Sequence, residues 1–162
     1  MPSAHTARTH GDAHGLPAFR YHRTCGVPGP PIRQLSVPVR VYYQDTDAGG
    51  VVFHAQYLAF MERARTELLN EAGVDLARMA DERGVQFMVA ELSAKYHRGA
   101  RLNDLLSVSA EVVKIGRASV VFRQCVERSG ELLVEAEVTL AIVDRGRMKP
   151  ARMPIELEQA LN

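Results

Sequence analysis

Apolar positions fall into two periods along this chain. Across residues 36–44 (SVPVRVYYQ), Val37, Val39 and Val41 alternate with other side chains, the two-residue period of a strand. Residues 45–50 (DTDAGG) form a turn by composition. After it, Tyr57, Met61, Ala64, Leu68 and Ala72 recur at helical spacing, and Leu58 and Leu69 widen the stripe. Glu62, Arg63, Thr66, Glu67 and Asn70 take the other faces, and Gly73 is placed to end the helix. A short helical segment over residues 75–83 follows. The second half returns to a strand pattern over residues 85–98, 105–114, 120–128 and 132–143. In the last of these, Leu132, Val134, Ala136, Val138, Leu140 and Ile142 alternate with Glu135, Glu137 and Thr139, so one face is buried and one faces water. Ser129-Gly130 makes the turn before it, and Ile155–Leu161 reads as a closing helix.

The order is therefore strand, turn, long helix, then several antiparallel strands, an α+β pattern. One amphipathic helix cannot cover a sheet of this size and also hide its edges. Packing along one curved sheet, with sheets joined across a dimer, resolves this. Residues 1–35 obey neither period. Counting to Pro38, they hold six of the 8 prolines, and they carry four of the 6 histidines. This stretch is expected to be a disordered tail, with the fold beginning near Ser36 and running to 162 as one domain. His5, His10 and His14 lack a geometry-fixing context and read as solvated tail residues.

Length and charge narrow the function classes. The 162 residues fit one ordinary domain. A net charge of +1, split into +3 before residue 36 and −2 after it, suggests no nucleic-acid partner. Two cysteines, Cys25 and Cys125, make neither a disulfide framework nor a zinc spacing, which points to a reducing, cytoplasmic setting. No apolar run suits membrane insertion or a secretory signal.

The chemistry concentrates in residues 41–65, VYYQDTDAGGVVFHAQYLAFMERAR. Two carboxylates and two glycines stand between a strand and the start of a long helix. The first turn of a helix presents unpaired N–H groups and a positive dipole end, suited to a developing oxyanion. Glycines let an acyl group approach the backbone, and a nearby carboxylate can activate water or attack a carbonyl. The same Asp-Thr-Asp is also ordinary turn and capping chemistry, and taken alone that structural account has the better prior. His54 by itself is likewise more often a structural residue than a catalyst.

The stretch closely resembles the 4-hydroxybenzoyl-CoA thioesterase family, and within it the YbgC-type acyl-CoA thioesterases associated with the Tol–Pal envelope system. Tyr42-Tyr43, Asp45-Thr46-Asp47, Ala48-Gly49-Gly50-Val51-Val52, His54, Tyr57 and Glu62-Arg63-Ala64-Arg65 carry the likeness. It continues in Ala100-Arg101-Leu102, Asp104, Glu135-Ala136-Glu137-Val138 and Met148-Lys149-Pro150, covering about residues 36–155. The resemblance implies a hotdog fold, an antiparallel sheet wrapped around a central helix, in a homodimer or homotetramer with sites at the subunit interface. It implies hydrolysis of an acyl-CoA to free acid and coenzyme A, with no metal and no cofactor beyond the coenzyme A of the substrate. Asp47 takes the role of general base or nucleophile; both fit. The amide of His54, and next those of Phe53 and Val52, would polarise the carbonyl, with Gly50 allowing close approach. The His54 side chain would position water or substrate. Arg117, in Gly116-Arg117-Ala118-Ser119, would meet coenzyme A phosphates, though a solvated strand-end arginine reads nearly as well.

Tyr57 fits the buried stripe, so packing is its default role beside substrate contact. Glu62 and Arg65, at i,i+3, read as a surface pair. Asp45 reads as turn-forming. The competing functions are an acyl-group or acyl-carrier-protein binding module, and a hotdog dehydratase; the Asp-Thr-Asp-Ala-Gly-Gly element fits a thioesterase better. No Gly-x-Ser-x-Gly supports a serine hydrolase.

Overall fold

The computed structural model describes residues 33–162. Most of the tail expected over residues 1–35 lies outside the described residues. The first strand, β1 (Arg33–Arg40), starts earlier than Ser36 and stops short of residue 44. Its partner sets both limits. Arg33 to Arg40 pair in unbroken antiparallel register with Val112 to Leu105, whereas Tyr43–Asp45 leaves the ladder as a 3-10 turn.

Helix α1 (His54–Glu71) takes the stripe expected of it. Tyr57, Phe60, Met61, Ala64, Leu68 and Leu69 are each 2% exposed or less. Burying each leucine, phenylalanine or methionine side chain among these contributes about 1.5–3 kcal/mol. The helix stops where Gly73 turns left-handed at φ 78°. There the Gly73 N–H donates to the Asn70 carbonyl and the Val74 N–H to the Leu69 carbonyl, a Schellman stop. Helix α2 (Leu76–Arg83) is capped by the Asp75 carboxylate, which accepts the Arg78 N–H at 2.9 Å.

Four strands follow: β2 (Val85–Tyr96), β3 (Leu105–Ile115), β4 (Ser119–Arg128) and β5 (Glu131–Asp144). With β1 they form an antiparallel sheet in the order β1-β3-β4-β5-β2. A two-residue strand, β6 (Lys149–Pro150), prolongs the line of β4 along β5, and α3 (Ile155–Leu161) closes the described chain. The β4–β5 connection is a two-residue turn with Ser129 and Gly130 both at positive φ, the type whose twist suits a hairpin. The sheet curls around α1, which packs on β1, β3 and β4. This is the expected hotdog arrangement. Alternation decides the faces: Leu106, Val108, Ala110 and Val112 of β3, and Val120, Phe122 and Val126 of β4, meet the helix. Cys125 lies between them on β4 and is buried.

One edge of the sheet is apolar and open. Strand β2 pairs only with β5 among the described strands, and Met88, Val89, Leu92 and Tyr96 are exposed along it. The register shifts between Val89 and Glu91, so Ala90 bulges from the ladder.

Candidate functional site

Residues 45–54 form a miniature hairpin that runs straight into α1. The Asp47 N–H donates to the Val51 carbonyl at 3.0 Å, and Thr46 bridges Val52. The Gly50 N–H closes the loop on the Asp47 carbonyl at 3.0 Å, with Gly50 left-handed at φ 73°. This is a three-residue hairpin loop, and its left-handed position needs glycine. Asp45 anchors the base. Its buried carboxylate accepts the Tyr42 N–H at 2.7 Å, and its carbonyl accepts the Phe53 N–H at 2.9 Å. Asp45 is therefore the turn former it was expected to be.

Asp47 is exposed at the tip. One carboxylate oxygen accepts the Gly49 N–H at 2.8 Å, which fixes the side chain against the loop. A Cβ on Gly49 would stand 3.0 Å from that oxygen, so any larger residue there would push the carboxylate by a few tenths of an ångström.

The amides at the helix start are not equivalent. The Val52 N–H donates to the Ala100 carbonyl at 2.8 Å, and the Phe53 N–H is taken by Asp45. His54 and Ala55 occupy the first helical positions, where an N–H has no acceptor within the helix. The His54 carbonyl accepts the Tyr96 hydroxyl at 3.1 Å, and the His54 ring is exposed between Phe53 and Tyr96.

A second layer backs this hairpin. The loop after β2 packs on it, with Gly99 so close that an added Cβ would lie 3.1 Å from Val51. The Tyr57 hydroxyl accepts the Ala100 N–H at 2.8 Å; burial raises the phenol above its ordinary pKa, and the Ala100 bond opposes that rise. Asp104 ties the loop down, accepting the Arg101 N–H and the Arg128 guanidinium, each at 2.8 Å. Burial raises the Asp104 carboxyl, but these bonds outweigh it and leave the group below its ordinary value.

Asp47, Gly50, Val52, Phe53, His54 and Tyr57 thus come together on one hairpin and helix start. Arg117 does not join them. It lies beyond the far end of β3, where its carbonyl accepts the Met153 N–H at 2.8 Å. β3 itself begins beside the site, at Leu105, and its eleven residues span about 30 Å. Ala100, named in the sequence only as part of the family likeness, and Tyr96, not named there, also shape the site. Ala100 acts only through its backbone, and Tyr96 looked like one more apolar strand residue. Glu62 and Arg65 do not pair on the surface either: Glu62 accepts the Thr66 hydroxyl, and Arg65 is buried against Gln124. Among the described residues, no cluster of His, Cys, Asp and Glu could hold a metal ion, and no helix is long and apolar enough to cross a membrane.

Residues 49–135 match the model of the thioesterase superfamily. Over 128 residues the chain is 45% identical to an acyl-CoA thioesterase YbgC of Haemophilus influenzae, covering 79% of this chain and 94% of that protein. It is 47% identical over 118 residues to an acyl-CoA thioester hydrolase YbgC of Escherichia coli, covering 72% of this chain and 87% of that one. Among solved structures, a probable thioesterase from Bartonella henselae superposes with a TM-score of 0.70 at 31% identity, over 75% of this chain and 99% of that one.

Proposed function

This chain belongs to the thioesterase superfamily, and from that premise we propose that it hydrolyses an acyl-CoA to the free acid and coenzyme A, with Asp47 as the reacting carboxylate. The observation that carries this reading is the hairpin itself. It fixes one oxygen of an exposed carboxylate beside a helix start whose first amide has no acceptor within the helix. The names of the YbgC relatives supply the substrate class.

In this reading the thioester carbonyl lies against the His54 N–H. The Phe53 and Val52 amides are already engaged, so they shape the site and are not oxyanion donors. The helix dipole and the His54 N–H stabilise charge on the carbonyl oxygen as the tetrahedral species forms. Asp47 either takes a proton from the attacking water or bonds to the carbonyl carbon and is released by water; each route gives acid plus thiol. Coenzyme A leaves as thiol or thiolate. The His54 ring positions water or the acyl group. No step calls for a metal, and coenzyme A enters as part of the substrate.

The working unit is a homodimer or homotetramer. The open β2 edge, with Met88, Val89, Leu92 and Tyr96 exposed, would self-pair and so complete the sheet. Arg117 could then meet coenzyme A phosphates only at a site completed by a second copy. An acyl carrier protein is a second candidate donor of the acyl group, and the setting proposed is the cytoplasm. The test is free-thiol release by the purified full chain from short-chain, long-chain and aromatic acyl-CoAs. Release from at least one of these is expected. No release from any of them contradicts the reading.

A further inference from the structure

Arg65 is the anomaly in the core. It sits on α1 with only 6% of its surface exposed. Among the described residues, its one hydrogen bond is from Nη1 to Gln124 Oε1, at 2.5 Å. Gln124 cannot turn away, because its amide nitrogen donates to the Met61 carbonyl at 2.9 Å and the Ser109 carbonyl at 3.1 Å. That leaves its oxygen facing the guanidinium. Among the described residues, no carboxylate stands within ion-pair distance of Arg65. Glu62 is the nearest acidic influence, but it lies on the exposed face and bonds Thr66 instead. Burial pulls the guanidinium below its ordinary pKa, and Glu62 opposes this. The group stays charged all the same.

A buried cation normally has a carboxylate partner, because an unpaired one is costly. Arg65 offers four further N–H donors, and it lines a cavity of about 290 Å³ between α1, α2 and the β2 side of the sheet. Leu69, Leu76, Met79 and Phe87 give that cavity apolar walls, and exposed Glu62 and Val89 stand at its rim. Thr66 and Gln86 add neutral polar groups to the lining, and Arg65 is its one cation beside the apolar walls; such a hollow matches a ligand with one anionic end and a hydrocarbon body. Planar guanidinium suits a carboxylate best.

We infer that this cavity binds a carboxylate with a short apolar body, its anionic end on Arg65. Two sources share that chemistry: a free carboxylic acid, or the distal carboxyl of an acyl group still joined as a thioester. The second source rests on the thioesterase reading; the first does not.

The test measures octanoate and octan-1-ol binding by calorimetry, with the full chain and with Arg65→Met and Arg65→Lys. Octanoate should bind more tightly than the alcohol. Arg65→Met should weaken octanoate at least about tenfold, the weight of a hydrogen bond to a charged group. It should leave the alcohol unchanged, and Arg65→Lys should restore part of the difference. Equal binding of acid and alcohol by the parent overturns the inference, as does octanoate binding that ignores Arg65→Met. Folding of each variant is verified by its thermal transition. The sources separate on glutaryl-CoA and pentanoyl-CoA, which match in chain length. If Arg65→Met lowers kcat/KM for glutaryl-CoA alone, the carboxylate belongs to the acyl group; if octanoate binding falls while that ratio holds, it belongs to a free acid. Should no thioester be hydrolysed at all, the thioesterase reading fails while the octanoate measurement still decides this one.

Discussion

The Tyr57 hydroxyl oxygen accepts the backbone N–H of Ala100 at 2.8 Å, joining the buried face of α1 to the loop that carries the Val52 contact. A residue from the apolar stripe thereby supports the hairpin that holds Asp47. Replacing Tyr57 with Phe keeps the ring and orphans the Ala100 N–H in a buried site. The expected loss is about 1–3 kcal/mol of stability, read by urea unfolding. A smaller loss of activity should follow, because the carboxylate is supported indirectly. Stability equal to the parent's would show the bond to be dispensable.

Gly49→Ala separates the carboxylate's placement from the fold. Gly49 does not sit at positive φ, so alanine is compatible with the backbone, but its Cβ would crowd an Asp47 oxygen at 3.0 Å. A drop in kcat/KM of roughly tenfold or more is expected with the thermal midpoint nearly unchanged, since ångström-scale misplacement of a reacting group is costly. Gly50→Ala should act differently. At φ 73° it strains the loop, costing on the order of 1 kcal/mol, and should lower the thermal midpoint as well.

The Asp104 carboxyl is held below its ordinary value in the folded chain, with Arg128 and the Arg101 N–H prevailing over burial. A depressed folded pKa contributes stability that is complete above the unfolded pKa, near ~3.9, and that fades as pH falls through the lower folded value. Asp104→Asn should therefore be less stable than the parent at neutral pH. The gap should stay constant down to about pH 5 and close on further acidification. Thermal melts across pH 3–7 check this; a gap that widens toward acid would reverse the sign of the linkage.

The open edge of β2 gives a prediction about assembly. Val89→Lys with Leu92→Lys puts two charges on an exposed apolar edge, which opposes strand pairing between copies. Sedimentation should register a parent larger than a monomer and a variant shifted toward the monomer. A parent that sediments as a monomer contradicts self-pairing.

Much of this was legible in the sequence because the core is periodic. The stripe from Tyr57 to Leu68 is buried as its spacing requires, and the alternation of Leu132 to Ile142 identified β5. Strand ends were less legible. β1 extends back to Arg33 because β3 offers a partner as far as Val112, a fact about pairing and not about residues 33–35. Of the site, the hairpin and helix start could be read from Asp47, Gly50 and His54. Which amides are engaged could not, because the acceptors are the backbones of Asp45 and Ala100. The burial of Arg65 was hidden for a similar reason: its partner Gln124 lies on β4, 59 residues away.

The central claim is that Asp47 does the chemistry, and Asp47→Asn tests it most directly. Asparagine keeps the side chain's size and an oxygen able to accept the Gly49 N–H, so it removes charge and basicity while sparing the loop. Thiol release from the best acyl-CoA of the panel should fall by two orders of magnitude or more, roughly the weight of a general base, with the thermal midpoint little changed. A folded Asp47→Asn protein that releases thiol at the parent's rate would make Asp47 a turn residue and overturn the account.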